Sequence, residues 1–376
     1  MIIPHLRLSP SIKDLGINLF AWIGAFSLFG FIRLYGVEEE LVYARQGSEL
    51  QVLEMIAVQG LVIGTAFGLG IGLLDAWLDR KRWRNYAYGV LILLRTLIHI
   101  LLTVVILIGF ISITHLIFGE PFHSFSWELI EESLFTKTAM VILIYTGVIS
   151  VIFNLIRQMN KMFGPGILTN IITGKYHRPK EENRVFMFLD LKSSTTYAER
   201  LGHILYSELI QDCFFDLTDA VQQHRVEIYQ YVGDEAVLTW RIEEGLQEMN
   251  CIKAFFSFED SIQRRANYYF NKYDLVPAFK AGVNMGLVMA AEVGVVKKEI
   301  AYHSDVLNTA ARIQGQCNAL GKPLLVSETV RNCLGNPTNF QIESVGEVSL
   351  KGKKQRIQLY SVDRIDQREH PFAFTE

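Results

Sequence analysis

Four long apolar stretches, separated by short polar segments, dominate the first 156 residues of the chain. They cover residues 15–37, 55–78, 86–118 and 134–156. A helix needs about 20 consecutive apolar residues to cross the hydrocarbon core of a bilayer, and each stretch has that length. The first stretch is too long for the apolar core of a cleavable signal peptide. The pattern predicts a bundle of four transmembrane helices.

Charged residues in the connecting segments predict the orientation of this bundle. Basic residues stand at Arg7, Lys13, Arg157 and Lys161 and at four of the six positions 79–84. In the two other connections, residues 38–49 and 120–132, most of the charged residues are glutamates. Because basic loops stay in the cytoplasm, both termini are expected there. We therefore expect a multi-pass protein of the inner (cytoplasmic) membrane, with the lipid bilayer as a partner.

Two further patterns lie within the apolar stretches. Gly60, Gly64, Gly68 and Gly72 repeat every four residues and predict a smooth helix face for close packing; a signalling hinge is the alternative. Arg95 and His99 lie one helical turn apart inside a stretch, where ionisable residues are costly. We interpret this pair as bonded to a neighbouring helix, with a ligand or ion site as the alternative.

The chain changes character after residue 156. Gly164, Pro165 and Gly166 break the fourth predicted helix, a short amphipathic run follows at 167–173, and residues 174–183 are typical of an exposed loop. We divide the chain into a transmembrane domain at 1–156, a linker at 157–183, a soluble domain at 184–364 and a tail at 365–376.

The soluble domain alternates predicted strands and helices. Strands are expected at 185–189, 226–231, 236–240, 279–285, 287–293, 344–350 and 356–362, and helices at 193–223, 246–273 and 305–320. Gly233 and Asp234 mark the turn of a hairpin, and a second hairpin closes the domain over residues 351–354. The pattern indicates an α+β fold with a largely antiparallel sheet.

Composition and charge narrow the possible functions. The chain has 376 residues, is 50% hydrophobic and has a formal net charge of −3, so it is neither a disordered chain nor a nucleic-acid binder by charge. Cys213, Cys251, Cys317 and Cys333 lie far apart without a C-x-x-C pair. They indicate four reduced structural thiols rather than a zinc site or a disulfide framework.

Two aspartates are the first candidates for chemistry. Asp190 follows the apolar run 185–189, and Asp234 lies in the Gly-Asp turn of the next hairpin. If these strands are neighbours, the two carboxylates converge at one edge of the sheet. Paired carboxylates together with substrate phosphates hold magnesium, and such sites serve phosphoryl and nucleotidyl transfer. Either aspartate alone would more often be a strand-end or turn residue.

A wider set of motifs gives these aspartates a context. In order, the chain contains VFMFLDLKSST at 185–195, YQYVGDE at 229–235, DVLNTAARI at 305–313 and LKGK at 350–353. This series resembles the class III nucleotidyl cyclase catalytic domain over roughly residues 184–362. The layout with membrane helices is similar to that of membrane-anchored bacterial adenylate cyclases.

The resemblance implies a role for each matching residue. Asp190 and Asp234 match the metal-binding aspartates, and Leu191 matches the residue whose backbone carbonyl adds a metal ligand. Asn308 and Arg312 match the pair that orients the ribose and stabilises charge on the α-phosphate. Lys351 matches the lysine at the terminal phosphates. Gln230, Ala301 and Asp305 fall at positions implied in substrate binding.

The resemblance also implies a reaction and an assembly. The ribose 3′-hydroxyl attacks the α-phosphorus of its own triphosphate, with two Mg²⁺ or Mn²⁺ ions as cofactors. The products are a 3′,5′-cyclic nucleotide and pyrophosphate. In this family the aspartates come from one subunit and the Asn, Arg and Lys group from the other. A homodimer with two equivalent sites is therefore implied, through the soluble domain and the membrane helices.

The chain departs from the family at the positions that select the base. Adenylate-forming relatives have Lys where this chain has Gln230, and Asp, Thr or Ser where it has Ala301; guanylate-forming relatives have Glu and Cys. Gln230 offers both a donor and an acceptor, so it can serve either purine. Tyr302 or His303 could replace Ala301 if the loop shifts by one residue. Ser304 stands where the family usually has Gly.

Together these observations lead us to expect a membrane-bound adenylate cyclase that converts ATP to cyclic AMP. A guanylate cyclase or another nucleotidyl cyclase is the first alternative. The second is a catalytically silent cyclase-like module that signals through dimer contacts. The presence of all five polar site residues favours an active enzyme over the silent module.

Overall fold

The computed structural model describes residues 12–36, 49–78, 87–118, 136–164, 167–335, 338–349 and 356–365. The chain forms two compact units, Met1–Met162 and Phe163–Glu376, here called the N-terminal and C-terminal units. Several residues used above lie outside the described part: Arg7, the segments 38–48, 79–84 and 120–132, and Lys351. The predicted orientation, which depends on these segments, stays a prediction.

The N-terminal unit contains four long helices. They are α1 (Ile12–Gly36), α2 (Glu49–Leu78), α3 (Tyr88–Phe118) and α4 (Lys137–Phe163). Three of them include segments long and apolar enough to cross a membrane: Leu15–Ile32, Tyr88–Gly109 and Ala139–Asn160. The apolar part of α2, Gly60–Asp75, is shorter. Three apolar helices could therefore span a membrane, and the predicted fourth span is not confirmed.

The glycine face of α2 packs directly on the backbone of α1. A Cβ atom at Gly64 would lie 2.5 Å from the Cα of Ile23, and one at Gly68 would lie 2.7 Å from the Cα of Leu19. Contacts this short leave no space for any side chain, so the two backbones approach closely only because these positions are glycine. The interpretation of the repeat as a helix-packing face is confirmed.

Arg95 and His99 bond to the neighbouring helices of the same unit. Arg95 Nη1 lies 3.5 Å from Asp75 Oδ1 of α2, and Arg157 Nη1 of α4 lies 2.5 Å from Asp75 Oδ2. The His99 Nδ1 atom is 2.6 Å from the hydroxyl of Ser150 on α4. Asp75, Arg95, His99 and Ser150 are all buried. These contacts agree with the interpretation of interhelical pairing.

The C-terminal unit alternates strands and helices. Its helices are α5 (Ile167–Ile172), α6 (Ser194–Gln223), α7 (Ile242–Leu246), α8 (Asn250–Arg264), α9 (Ala266–Tyr273), α10 (Asp305–Leu320) and α11 (Glu328–Cys333). Its strands are β1 (Lys180–Leu191), β2 (Glu227–Val232), β3 (Glu235–Arg241), β4 (Phe279–Val293), β5 (Glu299–His303), β6 (Leu324–Ser327), β7 (Phe340–Val348) and β8 (Ile357–Arg364).

The strands form one sheet in the order β2-β3-β1-β4-β6-β8-β7, with β5 paired to β4. Every pairing within the described residues is antiparallel except that of β4 with β6. The α+β fold with a largely antiparallel sheet is therefore confirmed. The long strand β1 lies near the centre of the sheet, between β3 and β4.

Alternation along β1 directs its residues to two different layers. Val185, Met187 and Leu189 enter the main core, which includes residues of α6 and α8. Phe186 packs on the opposite face with Ala310 of α10. Because side chains of a strand alternate, Asp190 continues the row of Phe186 on the α10 face. The candidate chemistry thus belongs to the face of the sheet that α10 covers.

Several elements differ from the sequence-based expectations. The predicted loop 174–183 ends early, because β1 already begins at Lys180 and pairs there with β4. The two strands expected at 279–293 are one strand, β4. The helix expected at 246–273 is broken at Glu248 and Met249, whose positive φ values of 50° and 60° are incompatible with a continuous helix. Strands β5 and β6 and helix α11 were not predicted.

Of the four free cysteines, Cys333 is exposed and the other three are buried.

Candidate active site

Three charged residues form one row across the centre of the sheet. In the strand register, Asp190 of β1 lies opposite Glu235 of β3 on one side and Lys280 of β4 on the other. Asp234 precedes Glu235 in the β2–β3 turn, where Gly233 has a φ of 61° that favours glycine. The expected convergence of Asp190 and Asp234 at one place on the sheet is therefore observed.

The side chain of Asp190 is held by two donors. Lys280 Nζ lies 3.2 Å from Asp190 Oδ2, and Gln314 Nε2 of α10 donates a hydrogen bond of 2.8 Å to the same oxygen. Burial raises the pKa of Asp190 above its ordinary value and the Asp234 carboxylate adds to the rise, although Lys280 and Gln314 act in the opposite direction. Asp190 is thus a half-buried carboxylate in an acidic neighbourhood.

Asp234 presents an unsatisfied oxygen in this neighbourhood. Its Oδ2 atom is buried and has no hydrogen-bond partner within the described part of the chain. A buried carboxylate oxygen without a partner is costly, and a cation would compensate it. The two aspartates and the Leu191 carbonyl are hard oxygen donors of the kind that Mg²⁺ and Mn²⁺ prefer, so these residues fit such ions.

The protein side chains alone do not form a complete metal cage. Among the described residues, no group of three or more His, Cys, Asp and Glu side chains is arranged to hold a metal ion. Mg²⁺ sites commonly combine one or two carboxylates with substrate phosphates and water. The incomplete donor set therefore fits ions whose remaining coordination positions are filled by water or by the phosphates of a substrate.

Glu235 is a third carboxylate at this place, and the sequence motifs assign it no role. Burial raises its pKa to about 7, and the charges of Asp190 and Asp234 contribute to the rise. The residue directly follows Asp234, but its relation to Asp190 depends on the pairing of β1 with β3. That pairing is not readable from the local sequence.

Helix α10 is fixed over the sheet by close contacts at its start and middle. The Ser304 hydroxyl accepts a hydrogen bond from Val306 N and donates one to Leu287 O, so serine serves here as an N-cap. A Cβ atom at Gly282 would lie 2.2 Å from Gln314 N. The helix backbone therefore rests directly on β4, and Gln314 reaches Asp190 from this position.

Asn308 and Arg312 lie on another side of α10. Asn308 is exposed and Arg312 is half-buried, and neither side chain has a hydrogen-bond partner within the described residues. With about 100° per residue, Arg312 points about 160° away from Gln314 around the helix. Gln314 therefore bonds to Asp190 of its own chain, whereas Arg312 lies on nearly the opposite side of the helix.

The candidate base-binding positions lie on β2 and β5. Gln230 is exposed on β2 next to an irregularity in the pairing with β3, and Ala301 is half-buried opposite Ala291. Tyr302 packs against Phe186 with 5.4 Å between ring centroids and lies beneath the Arg184 guanidinium.

His303 is exposed at the end of β5 rather than in a loop. Asp305 is exposed at the start of α10 and accepts a hydrogen bond from Thr309. Of the two suggested replacements for Ala301, His303 is therefore the one whose side chain is exposed, whereas the Tyr302 ring is engaged in packing.

The turn between β1 and α6 contains a strained residue. Ser193 has a φ of 57°, a conformation that non-glycine residues adopt infrequently and at a cost of about 1–3 kcal/mol. It lies directly between the end of β1, which carries Asp190 and Leu191, and the first turn of α6. Such outliers cluster at ligand sites, which agrees with the position of the carboxylates.

The fold and this carboxylate site define a nucleotidyl cyclase domain. Residues 177–364 match the family model of the adenylate and guanylate cyclase catalytic domain. The chain belongs to this family, and the resemblance noted in the sequence is confirmed.

Individual relatives include both kinds of cyclase. The chain is similar to adenylate cyclase 2 of Rhizobium meliloti (strain 1021), with 33% identity over 205 residues, which is 54% of this chain and 56% of that relative. It is also similar to the receptor-type guanylate cyclase gcy-4 of Caenorhabditis elegans, with 23% identity over 202 residues, 52% of this chain and 17% of the relative. The first match thus spans about half the length of that relative.

A solved structure of a bacterial light-regulated adenylyl cyclase has a similar fold. It shares a TM-score of 0.51 and 17% identity with this chain, over 61% of this chain and 67% of that one. At this level of identity the likeness concerns the fold alone.

Proposed function

We propose that this chain is a membrane-bound adenylate cyclase that converts ATP to 3′,5′-cyclic AMP and pyrophosphate at the interface of a homodimer. The observation that carries the proposal is the unsatisfied buried oxygen of Asp234 beside Asp190, within a domain of the cyclase family. Asp190, Asp234 and the Leu191 carbonyl would hold two Mg²⁺ or Mn²⁺ ions. When bound, such ions acidify the attacking hydroxyl and neutralise the triphosphate.

The remaining site residues act on the nucleotide. The Asn308 amide orients the ribose so that its 3′-oxygen is in line with the α-phosphorus. The 3′-hydroxyl gives up its proton to water as its oxygen forms the new bond to the α-phosphorus. The bond from the α-phosphorus to the oxygen that bridges to the β-phosphate breaks, and pyrophosphate leaves. The Arg312 guanidinium meets the charge that develops on the α-phosphate oxygens, and Lys351 binds the terminal phosphates.

The geometry of α10 supports a site shared between two chains. Gln314 bonds to Asp190 of its own chain, and Arg312 lies on nearly the opposite side of the same helix. Arg312 therefore cannot approach the aspartates of its own chain while Gln314 holds Asp190. A second copy related by a two-fold axis would supply Arg312 and Asn308 to these aspartates, and each dimer would contain two sites.

The N-terminal unit anchors the enzyme in this proposal. Its apolar helices would hold the chain in the cytoplasmic membrane with both termini on the cytoplasmic side, and they would contribute to the dimer. Residues 157–183 would link the membrane helices to the catalytic domain at 184–364, followed by a tail. The support is the set of three apolar helices long enough to cross a bilayer.

ATP is the proposed substrate, and GTP is the second candidate. ATP is favoured by the similarity to a bacterial adenylate cyclase. The observation that favours GTP as an alternative is the exposed Gln230 amide, which has both a donor and an acceptor and so matches either purine edge. The similarity to a guanylate cyclase agrees with this alternative.

A product assay tests the proposal directly. Purified full-length protein with Mn²⁺ is incubated separately with ATP, GTP, CTP and UTP, and the products are identified by mass spectrometry. We expect cyclic AMP from ATP, and its loss in Asp190→Ala and Asp234→Ala while the circular dichroism spectrum stays native. Cyclic GMP instead would establish the second candidate. Full activity in either aspartate variant would refute the metal assignment.

A further inference from the structure

Lys280 is a half-buried cation placed at the proposed metal site itself. Its side chain is 12% exposed, and its Nζ atom lies 3.2 Å from Asp190 Oδ2. Lysine is seldom buried without a paired charge, so the contact with Asp190 accounts for its position. In the same row of the sheet stand Glu235 and, one residue away, Asp234. Lys280 thus supplies one positive charge among three carboxylates.

The contacts of Lys280 conflict with those of a bound cation. Asp190 Oδ2 already contacts two groups of the protein itself: the ammonium group of Lys280 and the side-chain amide of Gln314. A divalent ion at Asp190 must displace the ammonium group from this oxygen or bind beside it. In both cases the positive charge of Lys280 weakens binding of the ion, because like charges a few ångströms apart repel strongly in a half-buried site.

We propose that Lys280 is a positioning residue that occupies Asp190 until the divalent cation binds, and that it thereby sets the cation concentration that the enzyme requires. This inference rests on the proposed function, in which Asp190 is a metal ligand. Without the cation, Lys280 reduces repulsion among Asp190, Asp234 and Glu235. With the cation, the same charge weakens binding, so the site loads fully only at a higher cation concentration.

Two opposite effects distinguish this role from a merely structural one. Lys280→Met keeps the length of the side chain and removes its charge. Without metal, the variant loses the compensation of the carboxylates and should melt at a lower temperature than the wild type. With Mn²⁺ it should bind the ion on the order of tenfold more tightly, and its melting temperature should therefore rise more on addition of Mn²⁺.

The experiment measures binding of Mn²⁺ alone to the full-length protein in detergent, by electron paramagnetic resonance of the free ion. The variants are Lys280→Met, Lys280→Arg, Asp190→Asn and Lys272→Met. Lys272 is the matched control because its Nζ also lies 3.2 Å from an aspartate, Asp212, away from the row. We expect tighter binding only in Lys280→Met, loss of binding in Asp190→Asn, and binding within about twofold of the wild type for the other two.

The outcomes separate this inference from the proposed function. Unchanged or weaker Mn²⁺ binding in Lys280→Met, with binding lost in Asp190→Asn, would overturn the inference and leave the proposed function intact. Equal binding by Asp190→Asn and the wild type would remove the metal site and overturn both. A lower half-saturating Mn²⁺ concentration for cyclisation in Lys280→Met, with any separate change in kcat, would support the inference further.

Discussion

Gly282 shows how the absence of a side chain sets the position of the candidate site residues on α10. A Cβ atom at this position would lie 2.2 Å from Gln314 N and 2.6 Å from Ala310 O, both in the backbone of α10. The helix can therefore approach β4 only while residue 282 is glycine. Because α10 carries Asn308 and Arg312 as well as Gln314, its distance from the sheet sets the geometry of the site.

Gly282→Ala should accordingly lower both stability and activity. Overpacking of this kind costs about 1–3 kcal/mol, and the shift of α10 would move the residues proposed to bind the nucleotide. Gly315→Ala in the same helix is the control, because nothing lies within 4 Å of a Cβ there. Urea unfolding of both variants, followed by circular dichroism, checks the expectation. Equal midpoints for the two variants would contradict it.

Glu259 on α8 should make the stability depend on pH. Burial raises its pKa from 4.5 to about 7. Between these two pH values the carboxyl group of Glu259 therefore keeps its proton in the folded chain and has released it in the unfolded chain. Stability should therefore fall as the pH rises from about 4.5 to about 7 and then level off. Glu259→Gln should raise the melting temperature at pH 8 but not at pH 4.5, whereas exposed Glu347→Gln should change neither. A variant curve parallel to the wild type would argue against this assignment.

Single residues were predictable from the sequence where a local pattern marked them. Asp190 ends an apolar run and Asp234 follows Gly233 in a turn, so both were identified. Lys280 and Gln314 were missed because their importance arises from contact with Asp190, and both are distant from it in the chain. A lone lysine at the start of a strand carries no local signal of such a contact.

At the scale of elements, length and conformation decided which predictions succeeded. The hairpin of β2 and β3 was predicted correctly, since its strands flank a Gly-Asp turn. The strands β5 and β6 have only 5 and 4 residues, too few to show a period. The two strands expected at 279–285 and 287–293 left Gly286 between them, but it lies within β4, where a Cβ would meet Val306 at 2.8 Å. That glycine serves close packing rather than a turn.

The pairing of α1 with α2 should depend on Gly64. A leucine there would collide with the backbone of α1 at Ile23, so Gly64→Leu should separate the two helices and destabilise the N-terminal unit by about 1–3 kcal/mol. Gly109→Leu on α3 is the matched control, because nothing lies within 4 Å of a Cβ at Gly109. Melting temperatures of the detergent-solubilised protein would reveal the difference. Equal melting temperatures would show that the α1–α2 contact does not need the glycine.

At the scale of the whole molecule, the proposed shared site predicts complementation. Asp234→Ala and Arg312→Ala should each be inactive alone. In a random mixture half of the dimers combine the two variants, and each of these retains one complete site of two, so about a quarter of the wild-type activity should return. Co-expression followed by the product assay checks this. Continued inactivity, with mixed dimers demonstrated by differential tags, would exclude a site shared in this way.

The division of the chain into an apolar and a mixed part was visible in the sequence, because hydrophobicity changes abruptly after residue 156. The cyclase family was recognisable from four short motifs in order. The order of strands in the sheet was not readable, since neither the pairing of β1 with β4 nor that of β4 with β6 follows from local pattern. Long-range pairing is decided by packing of the whole unit.

The central position of β1 has a consequence for synthesis of the chain. Val185 pairs with Met285, about 100 residues later, so one edge of β1 lacks its partner while those residues are being translated. At about 5–20 residues per second, this interval lasts roughly 5–20 s. An apolar strand with an open edge is prone to aggregate. Early protection of this edge by a chaperone should therefore increase the yield of folded enzyme.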